Sequence, residues 1–326
     1  MRALVVERLA PDYAGCVVKE IPTPEPGPGE VRIRVRAAAV NFPDLMQTRG
    51  EHQHKPPIPF VGGMELSGEV DALGEGVSGF AVGDAVAAGG RGGFAEYAVL
   101  PAASLRRKPA ALSFSQAAGY PVAYLTAYVA FSRIGLVQPG EWVLVHGASG
   151  GVGLAAVDYA KVLGAKVIAA SASDDKLAVI RQEYAPDETV NVTGGFRERV
   201  KEITGGRGAD VIYDPVGGDV FDESIRCIAF GGRILSIGFT SGRLPMLPVN
   251  IALIKGFSVH GVRAGEYGRQ NPEKGRENTE AIWKLAEDGK VRPRVDAEYP
   301  LDQWREAFET LATRKVVGKT IIRPDL

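Results

Sequence analysis

Residues 141–171, EWVLVHGASGGVGLAAVDYAKVLGAKVIAAS, leave the chain few ways to fold. An apolar run, 142–145, leads into a glycine cluster at Gly147, Gly150, Gly151 and Gly153. Apolar residues then recur at three- and four-residue spacing, at Val152, Ala155, Ala156, Tyr159, Ala160 and Leu163, before a second β-branched run begins at Lys166. This pattern predicts strand, tight turn, helix and strand, with one helix face packed on a sheet. A helix that opens on glycine turns its first unpaired N–H groups and its positive dipole end outward, and a diphosphate is the usual occupant. Ser149, Gly150, Gly151 and Val152 stand at that opening. The three positions of the fingerprint G-x-G-x-x-G read Ala148, Gly150 and Gly153 here. The flanking strand–helix–strand context favours dinucleotide binding over a merely structural glycine turn.

The rest of the chain narrows the function classes. With 38 basic and 39 acidic residues, the net charge of −1 offers no excess to hold a nucleic-acid backbone, and no polybasic block points to an anionic membrane. The N-terminal apolar run is too short for a signal peptide, and the most apolar region, 117–131, is shorter than a membrane span and carries Pro121. Cys16 and Cys227 form no partner pattern and are expected as free thiols in a reducing cytoplasm.

Residues 1–100 read as short β-rich runs separated by Pro/Gly punctuation, with alternation from Val31 to Arg36 that predicts a half-exposed strand. No helical period stands out before about residue 113, where Ser113 or Ser115 is a candidate N-cap for one or two linking helices. After Ser171 strands and helices alternate until about residue 264, which predicts a doubly wound parallel sheet in the order 3-2-1-4-5-6. Two amphipathic helices and a final strand, KTIIRP, follow. A lone strand must find a sheet, so the tail is expected to return to the N-terminal body. The expected architecture is α/β, with a Rossmann domain over 123–264 inserted in a β domain made of 1–122 and 265–326.

The residue ending the second strand of such a sheet bears on the choice of nicotinamide cofactor. An acid there accepts from the ribose hydroxyls of NAD and repels a 2′-phosphate. This chain has Ser171, followed by Ser173 and Lys176, whose hydroxyl and ammonium groups suit a phosphate. The plainer reading makes Ser173 a helix cap and Lys176 a solvated cation. NADPH is the expectation, because the strand-end acid is missing.

Several stretches together carry a resemblance: AAAVNFPDLMQTRG (37–50), PFVGGMELSGEV (59–70), GVSGFAVGDAV (76–86), GGFAEY (92–97), residues 144–171, DVIYDPVGG (210–218), GGRILSIG (231–238) and VVGKTII (316–322). In order and spacing the chain resembles the medium-chain dehydrogenase/reductase superfamily, more closely its zinc-less quinone oxidoreductase, or zeta-crystallin-like, branch. The resemblance implies a GroES-like β-barrel domain beside the Rossmann domain. It also exposes departures from the zinc alcohol dehydrogenases. Asn41 stands where they have a ligand cysteine, Met64 stands where they have a ligand histidine, and their cysteine-rich structural-zinc lobe is missing. His52 and His54 lie beside Lys55 and prolines and are expected as exposed loop residues, so no metal site is expected. A site of this kind suits an already electrophilic substrate, a quinone or an α,β-unsaturated carbonyl.

The resemblance further implies roles for individual residues. Asn41 in NFPD would offer an amide donor and Asp44 would position it. Glu65 would be buried beside the cofactor or simply salt-bridged, and Thr126 would contact the cofactor or back-bond its own helix. Gly238 and Phe239 after the fifth strand, and Val262 and Arg263 after the sixth, would lie along the cofactor. Lys319 would sit near the adenine phosphate or be solvated at its strand end. Met46 and Val192 replace the aromatic or histidine side chains that relatives often carry. Relatives pair the last strand across a twofold axis, so residues 257–262 imply a homodimer. The rival readings are an enoyl-thioester reductase and a non-enzymatic NADPH-binding, crystallin-like protein.

Overall fold

The apolar run 142–145 becomes the first strand of a six-stranded, wholly parallel sheet in the computed structural model, which describes residues 1–326. In chain order the strands are Trp142–Val145, Lys166–Ser171, Glu188–Asn191, Ala209–Asp214, Ile228–Ser236 and Ser258–Gly261. Their order in the sheet is 3-2-1-4-5-6, as the strand–helix alternation predicts. The central strands Trp142–Val145, Lys166–Ser171 and Ala209–Asp214 are largely buried, and Leu144, Ile168, Ile212 and Ile234 are fully enclosed, whereas the outer strands Glu188–Asn191 and Ser258–Gly261 are more polar and partly exposed. The helices Gly151–Val162, Asp174–Tyr184, Arg197–Ile203 and Gly218–Cys227 make the crossovers between successive strands up to the fifth.

The chain divides into two compact units, Met1–Val122 with Pro293–Leu326, and Ala123–Arg292. The sequence reading returned the chain to the first unit at residue 265, which the structure corrects to Pro293. The helices Ala264–Gln270 and Pro272–Glu287 stay with the parallel sheet. Arg133 holds the second of them, donating to Asn278 at 2.7 Å and pairing with Glu277 at 2.7 Å.

The first unit is a GroES-like β domain. Its larger sheet runs in the order Val295–Pro300, Lys319–Arg323, Glu30–Val40, Glu65–Leu73, Ala85–Gly89 and Arg106–Arg107, with Tyr97–Pro101 also paired to Glu30–Val40. Val31, Ile33 and Val35 point into the core while Arg32 and Arg36 pair outside with Asp71 and Glu69, so the alternation in the sequence is the two faces of one strand. Tyr13, Phe94, Trp304 and Phe308 pack edge-on or tilted around that core. The C-terminal strand does find a sheet, antiparallel to Glu30–Val40 and parallel to Val295–Pro300.

Two local features depart from the sequence reading. A helix, Phe42–Arg49, lies well before residue 113. Its signals were present: Asn41 as N-cap, Pro43 in the first turn and Asp44 at the third position, whose Oδ2 accepts from the Asn41 N–H at 2.8 Å. The strand Val295–Pro300, VDAEYP, carries no strand signal in its sequence, because polar residues interrupt it and it is half-exposed.

Candidate active site

The second unit gathers one group of expected residues by topology alone. Every strand of a parallel sheet ends on the same edge, so the segments that follow the strands share that edge. Gly147 takes a left-handed backbone, φ 55°, and Ala148 donates its N–H to Ala170 O at 3.0 Å, fastening the turn to the second strand. Ala148 itself is not left-handed, so alanine costs nothing at the fingerprint's first position. A Cβ on Gly153 would lie 2.1 Å from Gly147 O, which explains the glycine there. Gly150 is the N-cap of Gly151–Val162 and no side chain caps it. The free N–H groups of that first turn are therefore open to an anion, and a Cβ built on Gly150 would meet only Gly147 O, at 3.5 Å. This cradle fits a diphosphate.

Around it, Ser171 is buried at its strand end. Ser173 does cap Asp174–Tyr184, accepting from Lys176 N at 3.4 Å, while Asp174 accepts from Asn191 Nδ2. The loops after the fourth and fifth strands are stitched together: Thr240 N donates to Pro215 O and Ser241 N to Val216 O. Phe239 is part-exposed there, its ring against the left-handed Gly217. Asp214 accepts from Val216 N and Gly217 N, and burial holds its carboxyl above the ordinary range despite those bonds. Val262 is buried with its N–H on Ser236 O, and Arg263 is largely exposed beside Glu266. Thr126 sits half-buried on the helix Pro121–Tyr128, within the same unit. His146, just before the turn, is enclosed against Phe196 and meets Ser224 Oγ at 2.9 Å, and burial lowers its imidazole to about 3. It is neutral and structural.

The first unit assembles a second group. Three neighbouring strands bring their ends to one place: Val40 lies opposite Thr320 and Ala38 opposite Leu66, which sets Asn41, Lys319 and Glu65 side by side. Lys319 Nζ donates to Asn41 Oδ1 and to Glu65 Oε1, each at 2.7 Å. Asn41 Nδ2 donates to Glu65 Oε1 at 2.9 Å and to Ala39 O at 3.3 Å. Glu65 Oε2 accepts from Val122 N at 2.9 Å. Glu65 is fully enclosed and Lys319 is 7% exposed.

This geometry changes three expectations. Glu65 is both buried and salt-bridged, so the two alternatives were one arrangement. Lys319 is not solvated: its ammonium is buried and bound to Asn41 and Glu65. Asn41 is not a spare donor, because both of its amide hydrogens are already on acceptors. Asp44 remains incompletely satisfied: Oδ2 accepts from Asn41 N, while Oδ1 is buried with no partner. Burial pushes its carboxyl from 3.8 up to about 7, opposed by the Asn41 hydrogen bond, helped by the Glu65 charge and opposed by Lys319.

The side chains do not suit zinc. An engaged amide and a thioether occupy positions 41 and 64, His52 and His54 are exposed or half-exposed with His54 against Arg91, and no cluster of three or more His, Cys, Asp or Glu residues is placed to hold a metal.

Comparison with known proteins agrees with this anatomy. Residues 27–110 match the alcohol dehydrogenase GroES-like domain family and residues 151–284 the zinc-binding dehydrogenase family. A Nematostella vectensis protein, "Quinone oxidoreductase-like protein 2 homolog", is 41% identical over 291 residues, covering 88% of this chain and 79% of the relative. The crystal structure of Escherichia coli quinone oxidoreductase complexed with NADPH is 29% identical, with a TM-score of 0.89 over 99% of this chain and all of that one. A structure described as an NAD-dependent alcohol dehydrogenase is 36% identical, with a TM-score of 0.89 over 99% of both chains. With its GroES-like domain, its Rossmann sheet and relatives of this identity over most of its length, the chain belongs to the medium-chain dehydrogenase/reductase superfamily, in the quinone oxidoreductase branch.

Proposed function

We propose that this chain is an NADPH-dependent reductase of quinones or α,β-unsaturated carbonyls that works without zinc. The observation that carries the reading is the uncapped helix start at Gly150, at the strand-end edge where Ser171 lies. The first N–H groups of Gly151–Val162 would take the diphosphate, and Ser171, Ser173 and Lys176 would take the ribose phosphate. Phe239, Gly238, Val262, Arg263 and Thr126 would line the remainder. NADPH, when bound, supplies the hydride. The neighbouring structure that contains NADPH supports this choice, and the one described as NAD-dependent makes cofactor discrimination worth measuring directly.

On the substrate side the protein offers the group Asn41, Asp44, Glu65 and Lys319. A quinone or conjugated enone needs only a donor for the oxygen on which charge gathers, and this group contains a buried cation held by two acceptors. Asn41 and Asp44 would keep that group in place at the head of Phe42–Arg49. The test is a panel of benzoquinones, enones, enoyl-CoA thioesters and aldehydes, each offered with NADPH and with NADH. Turnover of quinones or enones with NADPH is expected; NADPH binding with no turnover of any acceptor would refute the enzymatic reading.

The edge strand Ser258–Gly261 is paired on one side only, and Phe230, Met246, Val249, Leu253 and Ile254 are exposed in the same unit, at 72% or more. A self-complementary pairing across that edge would cover apolar surface and satisfy a sheet edge, so a homodimer belongs to the proposal. No helix is long and apolar enough to cross a membrane.

A further inference from the structure

The NFPD motif singles out Asn41, but in the folded first unit its amide hydrogens are already engaged. An oxygen that gains negative charge in a transition state needs a fixed hydrogen bond that strengthens as the charge grows. Asn41 has two amide hydrogens, and both are on protein acceptors, Glu65 Oε1 and Ala39 O. An ammonium has three hydrogens. Lys319 commits two of them, to Asn41 Oδ1 and Glu65 Oε1, and makes no other hydrogen bond.

The lysine is built to stay where it is. Its strand is locked by antiparallel pairing to Glu30–Val40, and its stem lies against Gly119, where an added Cβ would come within 3.0 Å of Cγ. Glu65 is itself anchored through Oε2 by Val122 N, so the ion pair cannot swing as a unit. A cation that has lost its water is far more effective on a nearby charge than a solvated one. Burying it is tolerable only because Glu65 and Asn41 face it.

We infer that Lys319, with its third N–H, is the donor to the substrate oxygen, and that Glu65 and Asn41 are positioning residues that hold it. This rests on the reductase reading above. In that reaction NADPH would give up a hydride and become NADP+; the hydride would form an O–H bond at one quinone oxygen, the electron pair of the opposite C=O bond would move onto its own oxygen, and the resulting quinol monoanion would take a solvent proton. Lys319 stabilises the anionic oxygen by a charge-assisted hydrogen bond and keeps its own proton. The same cation would serve an enolate oxygen formed from an enone.

The test uses the full-length protein saturated with NADP+, and 4-nitrophenol as a non-reacting mimic of the quinol monoanion, since its phenolate form has its own visible band. In the unaltered protein, bound nitrophenol should ionise at lower pH than free nitrophenol. Lys319→Gln alone strands a buried carboxylate and risks unfolding, so the decisive variant is Lys319→Gln with Glu65→Gln, a neutral pair that preserves hydrogen-bonding shape. That variant should bind NADP+ as before. Its bound phenolate-to-phenol ratio should fall at least about tenfold, and with a quinone substrate kcat should fall about 10²- to 10³-fold with KM little changed. If the double variant instead loses NADP+ affinity and keeps the phenolate ratio, Lys319 serves the cofactor phosphate and the inference is wrong. An unchanged ratio with unchanged kcat, or no phenolate bound to the unaltered protein, overturns it equally. If the unaltered protein reduces nothing yet shifts nitrophenol ionisation through Lys319, the donor assignment holds while the proposed reaction fails.

Discussion

Asp44→Asn should make the first unit's stability less sensitive to pH, and the size of the change follows from one buried carboxyl. Burial moves Asp44 from 3.8 to about 7, a difference of about 4 kcal/mol between its two protonation states. The sign is that of a raised acid. Below the unfolded value both states carry the proton and nothing is lost. Between 3.8 and about 7 the unfolded chain releases a proton that the folded chain keeps, so stability falls as pH rises, and it levels off above about 7. From about pH 5 to about pH 8 the native protein should lose roughly 3 kcal/mol through this group, and the asparagine variant should not. The amide can still accept from Asn41 N–H, so the N-cap survives. Its NH₂ inherits the unpartnered environment of Oδ1, which costs about 1–3 kcal/mol at every pH and shifts the whole curve without tilting it. The measurable quantity is therefore the slope of the difference, not its height. Trp304 lies in the first unit's core, whereas Trp142 and Trp283 belong to the second. In a Trp142→Phe, Trp283→Phe background, urea titrations followed by tryptophan emission report the first unit alone. A difference curve that is flat between those pH values would show that Asp44 is ionised throughout, and would refute the burial argument.

Two further outcomes test the remaining parts. Ser171→Asp places a carboxylate where a 2′-phosphate is proposed to lie, and should lower kcat/KM with NADPH by about tenfold or more while sparing or improving NADH; an unchanged NADPH:NADH ratio would remove Ser171 from the cofactor site. Leu253→Glu with Ile254→Glu puts two charges on the exposed apolar surface beside the edge strand, and light scattering should show a dimer becoming a monomer; a native monomer, or a dimer indifferent to the change, would dismiss the edge pairing.

How much of this was readable in advance depends on how far each interaction reaches along the chain. The Rossmann order was readable because each strand is followed by its own crossover helix, so local pattern and handedness together prescribe the sheet. The helix Phe42–Arg49 went unread because it has almost no amphipathic period, and its evidence is all in the cap: Asn41, Pro43 and Asp44. The helix Val249–Lys255 defeats pattern reading in another way, since Leu253 and Ile254 face outward. A periodicity rule assumes that apolar residues seek this chain's own core, and these two do not. The return at Pro293 was misplaced because the strand alternation ends at about residue 264, while the packing that keeps Pro272–Glu287 in the second unit is set by Arg133 from far upstream.

The site divides along the same line. The glycine turn is a local object: Gly147, Gly150 and Gly153 lie within seven residues, Gly147 is required by its left-handed backbone and Gly153 by the close approach of Gly147 O. Lys319 is 278 positions from Asn41 and 254 from Glu65, and nothing near it in sequence distinguishes a buried ammonium from an ordinary strand-end lysine. What separates them is the cost of burial. An isolated ammonium deprived of water is unaffordable, so its burial requires acceptors that can come only from other strands. Asn41 and Glu65 are those acceptors, and they can be so only because Glu30–Val40 lies between the strands that carry the other two. Motif reading assigned the chemistry to Asn41, which has a recognisable context. Donor counting assigns it to the residue that Asn41 holds. In a site built from distant strands, the side chain with hydrogen-bonding capacity left over is a better guide to chemistry than the one with the most legible surroundings.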